Sequence, residues 1–259
     1  LFSRAVECVI CFSYAFRCRT LPLIWPAILR PGTDMLRRFL RYSAPVLLNE
    51  TLWGTGFSMI TVIMGHMADS SDLIAAYTLA GNIDKLMTSG VFGIAAAVSV
   101  IVGKEIGTGN LKGVYNIGRA LCFTAFGFGL VLGVAEYGMF VSLMRPFVMP
   151  LFSLSPAAER LCSVMLTCYA CAIPLHSFST TMVVGVLRGG GDVNASLFID
   201  NFPLWCGTLP AMCLLGLVLK VPNEVFCLCL MIEYIIKSPI GLYRLRSGKW
   251  IHDITRIGE

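Results

Sequence analysis

Val91-Phe92-Gly93-Ile94-Ala95-Ala96-Ala97-Val98-Ser99-Val100-Ile101-Val102-Gly103 carries no charged side chain. It closes a longer apolar stretch, residues 73–103, whose charged residues are Asp84 and Lys85. At a rise of 1.5 Å per residue, one helix of that length crosses about 30 Å of hydrocarbon. Six more stretches share this character: residues 1–16, 42–67, 116–143, 159–187, 195–219 and 223–243. The first is short for a span. None shows the strict alternation of a membrane-barrel strand. The expected fold class is all-α, a polytopic membrane helical bundle.

Composition leads to the same place. Of 259 residues, 56% are hydrophobic and 14% charged, and the mean hydropathy is +0.77. A soluble domain carries roughly 25% charged residues. A globule this size could not cover its surface with so few. That excludes a cytosolic enzyme, a nucleic-acid binder and a disordered tail. The net charge of +5 reflects where the basic residues stand. If the first stretch exits to the cytoplasm, fourteen Lys and Arg fall inside, among them Arg37, Arg38, Lys104, Arg188 and Arg244. Arg145, Arg160 and Lys220 fall outside. This is the positive-inside bias of a multi-pass protein of a cell (inner or plasma) membrane.

Residues 17–41 differ from their surroundings. Pro22, Pro26 and Pro31 break helical structure, and Met35 to Arg41 then reads as a short amphipathic helix at the membrane face. The organisation expected is a membrane helix over 1–16, a cytoplasmic linker over 17–41, a six-helix lobe over 42–245 and a cytoplasmic tail over 246–259. Leu1 lies within an apolar stretch, so the chain is expected to begin partway through a helix, without a signal peptide.

Several motifs carry no chemistry. Cys8/Cys11 and Cys168/Cys171 are spaced i,i+3, but no further pair or His partner completes a zinc set. The 11 Cys are expected to pack as small apolar residues. Gly107 to Asn110 and Arg188 to Asp192 are helix–helix turns, since neither has the Lys-Ser/Thr of a nucleotide loop. No hydrolase or metalloprotease motif is present, and no cofactor or resident metal is expected.

The ionisable residues inside the stretches say most about function. Arg4, Lys85 and Lys237 are basic; Glu7, Glu50, Asp84, Glu136, Asp200 and Glu233 are acidic. Each costs about 2.5–3.5 kcal/mol near a helix centre, so they should face the bundle interior or a watery cavity. Counting helix rise, Glu50 and Asp200 lie roughly 10–12 Å from the cytoplasmic side. Lys237 descends to a similar level, with Asp84 and Glu233 near the midplane. Glu233 and Lys237 stand i,i+4 in the favourable order. These groups are expected to converge in one polar pocket, either as structural ion pairs or as a coupling site. Glu50 has no neighbouring base in sequence and sits between Asn49 and Thr51. A desolvated carboxyl there could load and release a proton, or hold Na⁺ with the Asn49 and Thr51 oxygens. Glu136, near the outer helix end, is expected to snorkel. His176, beside Pro174 and Ser177, is a candidate proton group. Met and Phe side chains are expected mainly to pack; any that line a cavity would suit varied apolar cations.

Four segments carry a family resemblance. Ser43-Ala44-Pro45-Val46-Leu47-Leu48-Asn49-Glu50-Thr51-Leu52-Trp53-Gly54 resembles the start of the seventh helix of multidrug and toxic compound extrusion (MATE) transporters. Val102-Gly103-Lys104-Glu105-Ile106-Gly107 is similar to the end of the eighth. Leu187-Arg188-Gly189-Gly190-Gly191-Asp192 is similar to the turn after the tenth, and Tyr243-Arg244-Leu245-Arg246-Ser247-Gly248-Lys249-Trp250 to the tail after the twelfth. The resemblance implies the end of helix six plus the six-helix C-terminal lobe of a twelve-helix transporter, with an N-terminal lobe as its missing partner. It also implies export of organic cations or drugs in exchange for H⁺ or Na⁺. Glu50 matches the family's acidic coupling residue, and Asp84 and Lys237 fall where some members carry charges. Sodium-coupled members often have an Asp where this chain has His176 and Ser177, which tilts the expectation to H⁺.

The expected function is therefore a secondary antiporter for small cationic substrates, embedded in a lipid bilayer, with no nucleic-acid partner. A lipid-linked precursor flippase would need a more basic cavity, whereas acids outnumber bases within these stretches. A non-transporting receptor or scaffold would use the same charges as structure alone, and a membrane-embedded transferase would need a clustered acid–His or metal site. The exporter mechanism expected here rests on Glu50 being an unpaired carboxyl held away from solvent; a side chain turned into the acyl chains, or locked to a permanent cationic partner, would overturn that mechanism.

Overall fold

A computed structural model describes residues 2–17, 32–152 and 154–252, and the described residues contain helices and turns without a strand. Seven helices follow in order: α1 Phe2–Arg17, α2 Thr33–Gly65, α3 Ser70–Gly107, α4 Leu111–Phe147, α5 Pro156–Leu187, α6 Val193–Val218 and α7 Asn223–Ser247. The chain divides into two units, Leu1–Ala44 and Pro45–Glu259. Six helices are long and apolar enough to span a membrane: Phe39–Gly65 within α2, and α3 to α7. The chain is a multi-pass membrane protein.

The amphipathic segment expected at Met35–Arg41 is not a separate helix. It forms the opening turns of α2, which runs on through Pro45. A proline in a helix interior loses one backbone hydrogen bond without forcing a break when the flanking apolar run propagates. Most of the expected linker, residues 18–31, and the end of the tail, residues 253–259, lie outside the described residues.

Local chemistry sets the boundaries. Ser155 caps α5, its Oγ accepting from Ala158 N at 3.0 Å, with Pro156 in the first turn. Asn110 caps α4 by accepting from Gly113 N at 3.0 Å. The turn before α6 needs Gly191, whose φ of 84° suits glycine.

Helix α5 is the axis of the larger unit. From Ala172 to Leu187 every residue is buried except Leu175 and Val184, which are half-buried. Helix α4 packs closely on it, because a Cβ on Gly133 would stand 2.5 Å from Ala170 O. Two apolar clusters result. One gathers Met64, Leu73, Met165, Leu204 and Phe226; the other gathers Val98, Val102, Met182, Val186, Leu245 and Trp250. Along α5 the first ends at Leu166 and the second begins at Phe178; along α7 they are separated between Leu230 and Leu245. Between them, on α5, α6 and α7, lie the buried polar residues His176, Asp200, Glu233 and Lys237. Outward, Leu47, Val100, Val131 and Val134 are exposed, as a lipid-facing surface requires.

Candidate functional site

The polar layer is built from three helices and the end of a fourth. Asn49 and Glu50 come from α2, Asp200 and Asn201 from α6, Glu233 and Lys237 from α7. Arg188 follows the last turn of α5. Asp200 is the hub. Its carboxylate is paired with Lys237 and accepts from Asn49 Nδ2 at 2.8 Å, while Arg188 Nη2 lies 3.7 Å from Oδ2. Lys237 also meets Glu233, one turn back, at 3.6 Å. Asn201 Nδ2 donates to Asn49 Oδ1 at 2.7 Å, which fixes the amide that faces Asp200.

Glu50 corrects the sequence reading. It is not an unpaired carboxyl: Arg188 Nη2 reaches its Oε1 at 2.8 Å, so the mechanism in which Glu50 alone gains and loses the ion falls, and any coupling through Glu50 has to involve the pair. It is also half open, with 55% of its side chain exposed against 10% for Asp200 and 5% for Glu233. Beside it, Thr51 Oγ1 donates to Leu47 O at 2.8 Å, and Asn49 Oδ1 accepts from Asn201 Nδ2. Among the described residues, no three His, Cys, Asp or Glu side chains are grouped so as to hold a metal ion.

A cavity of about 40 Å³ opens in this layer. Its walls include Glu50, Trp53, Phe92, His176, Arg188, Asp200, Glu233, Tyr234 and Lys237. That volume admits a few waters or a small ion, and no drug-sized molecule. His176 stacks on Tyr234, ring centres 4.8 Å apart, with Phe92 edge-on at 6.1 Å. Of the residues expected to converge, Asn49, Glu50, His176, Asp200, Glu233 and Lys237 do so. Asp84 does not. It is half-buried on α3, is not among the residues that line the cavity, and makes no ion pair with the exposed Lys85.

Arg188 was missed as a site residue. Its place before Gly189-Gly190-Gly191 marks it as a loop charge, yet a long guanidinium side chain can run back along its helix. The helix end that carries it, Thr181–Leu187, is wound in the wider π form. Such turns recur at functional positions because they shift one helix segment against the next. Segments Pro203–Thr208 and Cys213–Val218 of α6 are wound the same way.

Glu136 is a second correction. It does not snorkel outward. It is 0% exposed, and neither carboxylate oxygen has a hydrogen-bond partner among the described residues. A buried polar group without a partner carries its full desolvation penalty. Glu136→Met is expected to stabilise the fold by about 1–3 kcal/mol, seen as a higher unfolding midpoint of the detergent-solubilised protein. A lower midpoint would reveal a contact that the carboxyl makes.

The fold and this charged layer define a polytopic helical membrane protein with a small ion-sized polar site inside the bundle. The family model MatE matches residues 45–207, well over half of the chain. The chain belongs to the MatE family, whose members are transporters and not enzymes. Among curated proteins it is 24% identical to "Probable multidrug resistance protein NorM" of Bacillus cereus (strain ATCC 10987 / NRS 248), over 72% of this chain and 39% of that protein. It is 21% identical to the protein of the same name from Thermotoga maritima, over 85% of this chain and 46% of that one. Among solved structures, "Crystal structure of MATE in complex with MaL6" superposes with a TM-score of 0.79 at 18% identity, covering 96% of this chain and 55% of that one. The chain thus spans about half the length of the relatives it matches.

Proposed function

We propose that this chain forms one lobe of a secondary antiporter that exports organic cations in exchange for protons, and that the Glu50–Arg188–Asp200–Lys237–Glu233 cluster takes up the proton. One observation carries this reading. Three carboxylates meet two basic side chains, which leaves one negative charge unmatched. The surplus is shared between buried Asp200 and Glu233 and half-exposed Glu50; burial penalises the part held inside, and one monovalent cation cancels it. Glu50 is the entry point, being the most exposed of the three acids. Once neutral, Glu50 holds Arg188 less strongly, and Arg188 can turn fully to Asp200. That moves the end of α5 relative to α2, which is the kind of rearrangement alternating access requires.

The cavity is too small for an organic cation, so the cargo would bind outside it, on a path shared with a second lobe. The net negative layer suits cationic cargo better than a pyrophosphate-linked lipid.

The test is dye efflux by the complete protein in proteoliposomes, driven by an imposed pH gradient or, separately, by a sodium gradient. Glu50→Gln is expected to reduce proton-driven efflux to the level of empty vesicles, and Asp84→Asn to leave it near wild type. Unchanged proton-driven efflux in Glu50→Gln removes the cluster from coupling. Efflux driven by sodium alone replaces the proton with Na⁺.

A further inference from the structure

A different site lies at the ends of α4 and α7. On α4, Asn116, Arg119, Ala120 and Phe123 follow i, i+3, i+4, i+7 spacing and so share one face. Opposite stands Arg246, in the last turn of α7. These five residues line an open groove of about 450 Å³, large enough for a phosphate-bearing headgroup. Among the described residues, no acidic one lines it and neither guanidinium is paired with a carboxylate. Tyr115 Oη donates to Arg246 O in a long contact of 3.4 Å that links the two helix ends. Exposed Phe123 stands one turn deeper than Arg119 on the same face, toward the hydrocarbon. Both helix ends belong to the Lys- and Arg-rich side of the protein, the side that faces the cytoplasmic leaflet.

We propose that this groove is a headgroup site for an anionic phospholipid. Arg119 and Arg246 grip the phosphate from two sides, Asn116 donates to an ester or phosphate oxygen, and Phe123 packs against the first acyl carbons. Two guanidiniums and no carboxylate select for negative charge, and the aromatic ring below the basic rim matches the polarity gradient of a membrane interface. The site stands on different residues from the charged layer and is independent of the coupling ion.

The test uses the complete purified protein titrated with short-chain phosphatidylglycerol, short-chain phosphatidylcholine and inorganic phosphate, binding being read by native mass spectrometry and by the unfolding midpoint. Phosphatidylglycerol is expected to bind and raise the midpoint, and phosphatidylcholine to do neither. Arg119→Gln with Arg246→Gln should weaken phosphatidylglycerol binding about 30-fold. Ala120→Phe, which fills the groove without altering charge, should weaken it as well. Arg145→Gln, at the opposite end of α4, should leave it unchanged. Equal loss in Arg145→Gln, or no loss in the double variant or in Ala120→Phe, overturns the proposal. Inorganic phosphate raising the midpoint as much as phosphatidylglycerol overturns it in favour of a free-anion site.

Discussion

Lys237→Met is expected to destabilise the protein by about 3–5 kcal/mol, the cost of removing one partner from a buried ion pair. Lys237 is 3% exposed and touches two carboxylates, Asp200 and Glu233. Asp200 would keep Asn49 at 2.8 Å and Arg188 at 3.7 Å. Glu233 would keep neither: it is 4% exposed, and Lys237 is the cation beside it. The penalty should therefore fall on Glu233. Removing that second charge tests the assignment, and Lys237→Met combined with Glu233→Met is expected to recover most of the loss. Thermal unfolding in detergent measures both, with the single variant melting roughly 6–20 °C lower. Lys85→Met is the control, because Lys85 is exposed and pairs with no carboxylate among the described residues. A single variant as stable as the control would mean that the layer tolerates an orphan carboxylate, and the surplus-charge argument for cation uptake would fall with it.

The spans were legible because their cause is local. Hydrocarbon demands about 20 apolar residues per helix, and residues 73–103 announce one without reference to any neighbour. The grouping of Glu233 with Lys237 was legible for the same reason, since i,i+4 spacing lies within one helix. Glu50 and Arg188 are 138 positions apart in numbering, and their pairing depends on how α2 sits against the end of α5. No periodicity encodes that. Glu136 shows the converse error. Its place near an outer helix end suggested an escape to water, but the face it occupies is turned into the bundle, and face is a packing property. Met35–Arg41 read as a separate interfacial helix because its composition changes at Tyr42. A helix can change composition without ending, and α2 does so.

The largest packing feature beyond the spans lies in the segment read as a plain cytoplasmic tail. Trp250 is 0% exposed. Its ring lies against Gly118 of α4 and Gly190 of the α5–α6 turn, so close that a Cβ on either would meet it at 3.0 and 2.6 Å. Its Nε1 donates to Leu245 O at 3.1 Å, and His252 N donates to Gly190 O at 2.9 Å. Beside it Arg244 grips Asp192 at 2.6 and 2.8 Å. The tail thus holds the turn from both ends, and Arg188 stands four residues before Asp192. Trp250→Ala is expected to cost about 3–5 kcal/mol, the range for emptying a buried aromatic site. Trp250→Phe keeps most of the packing, loses one hydrogen bond, and should cost about 1–2 kcal/mol. The functional consequence is separable from the loss of stability. At temperatures where Trp250→Ala remains folded, proton-driven efflux should still be lower than in Trp250→Phe, because the turn that positions Arg188 against Glu50 has lost its support. Equal efflux in the two folded variants would confine the tail to a structural role, and an unchanged unfolding midpoint in Trp250→Ala would show that the ring is not seated between Gly118 and Gly190 in solution.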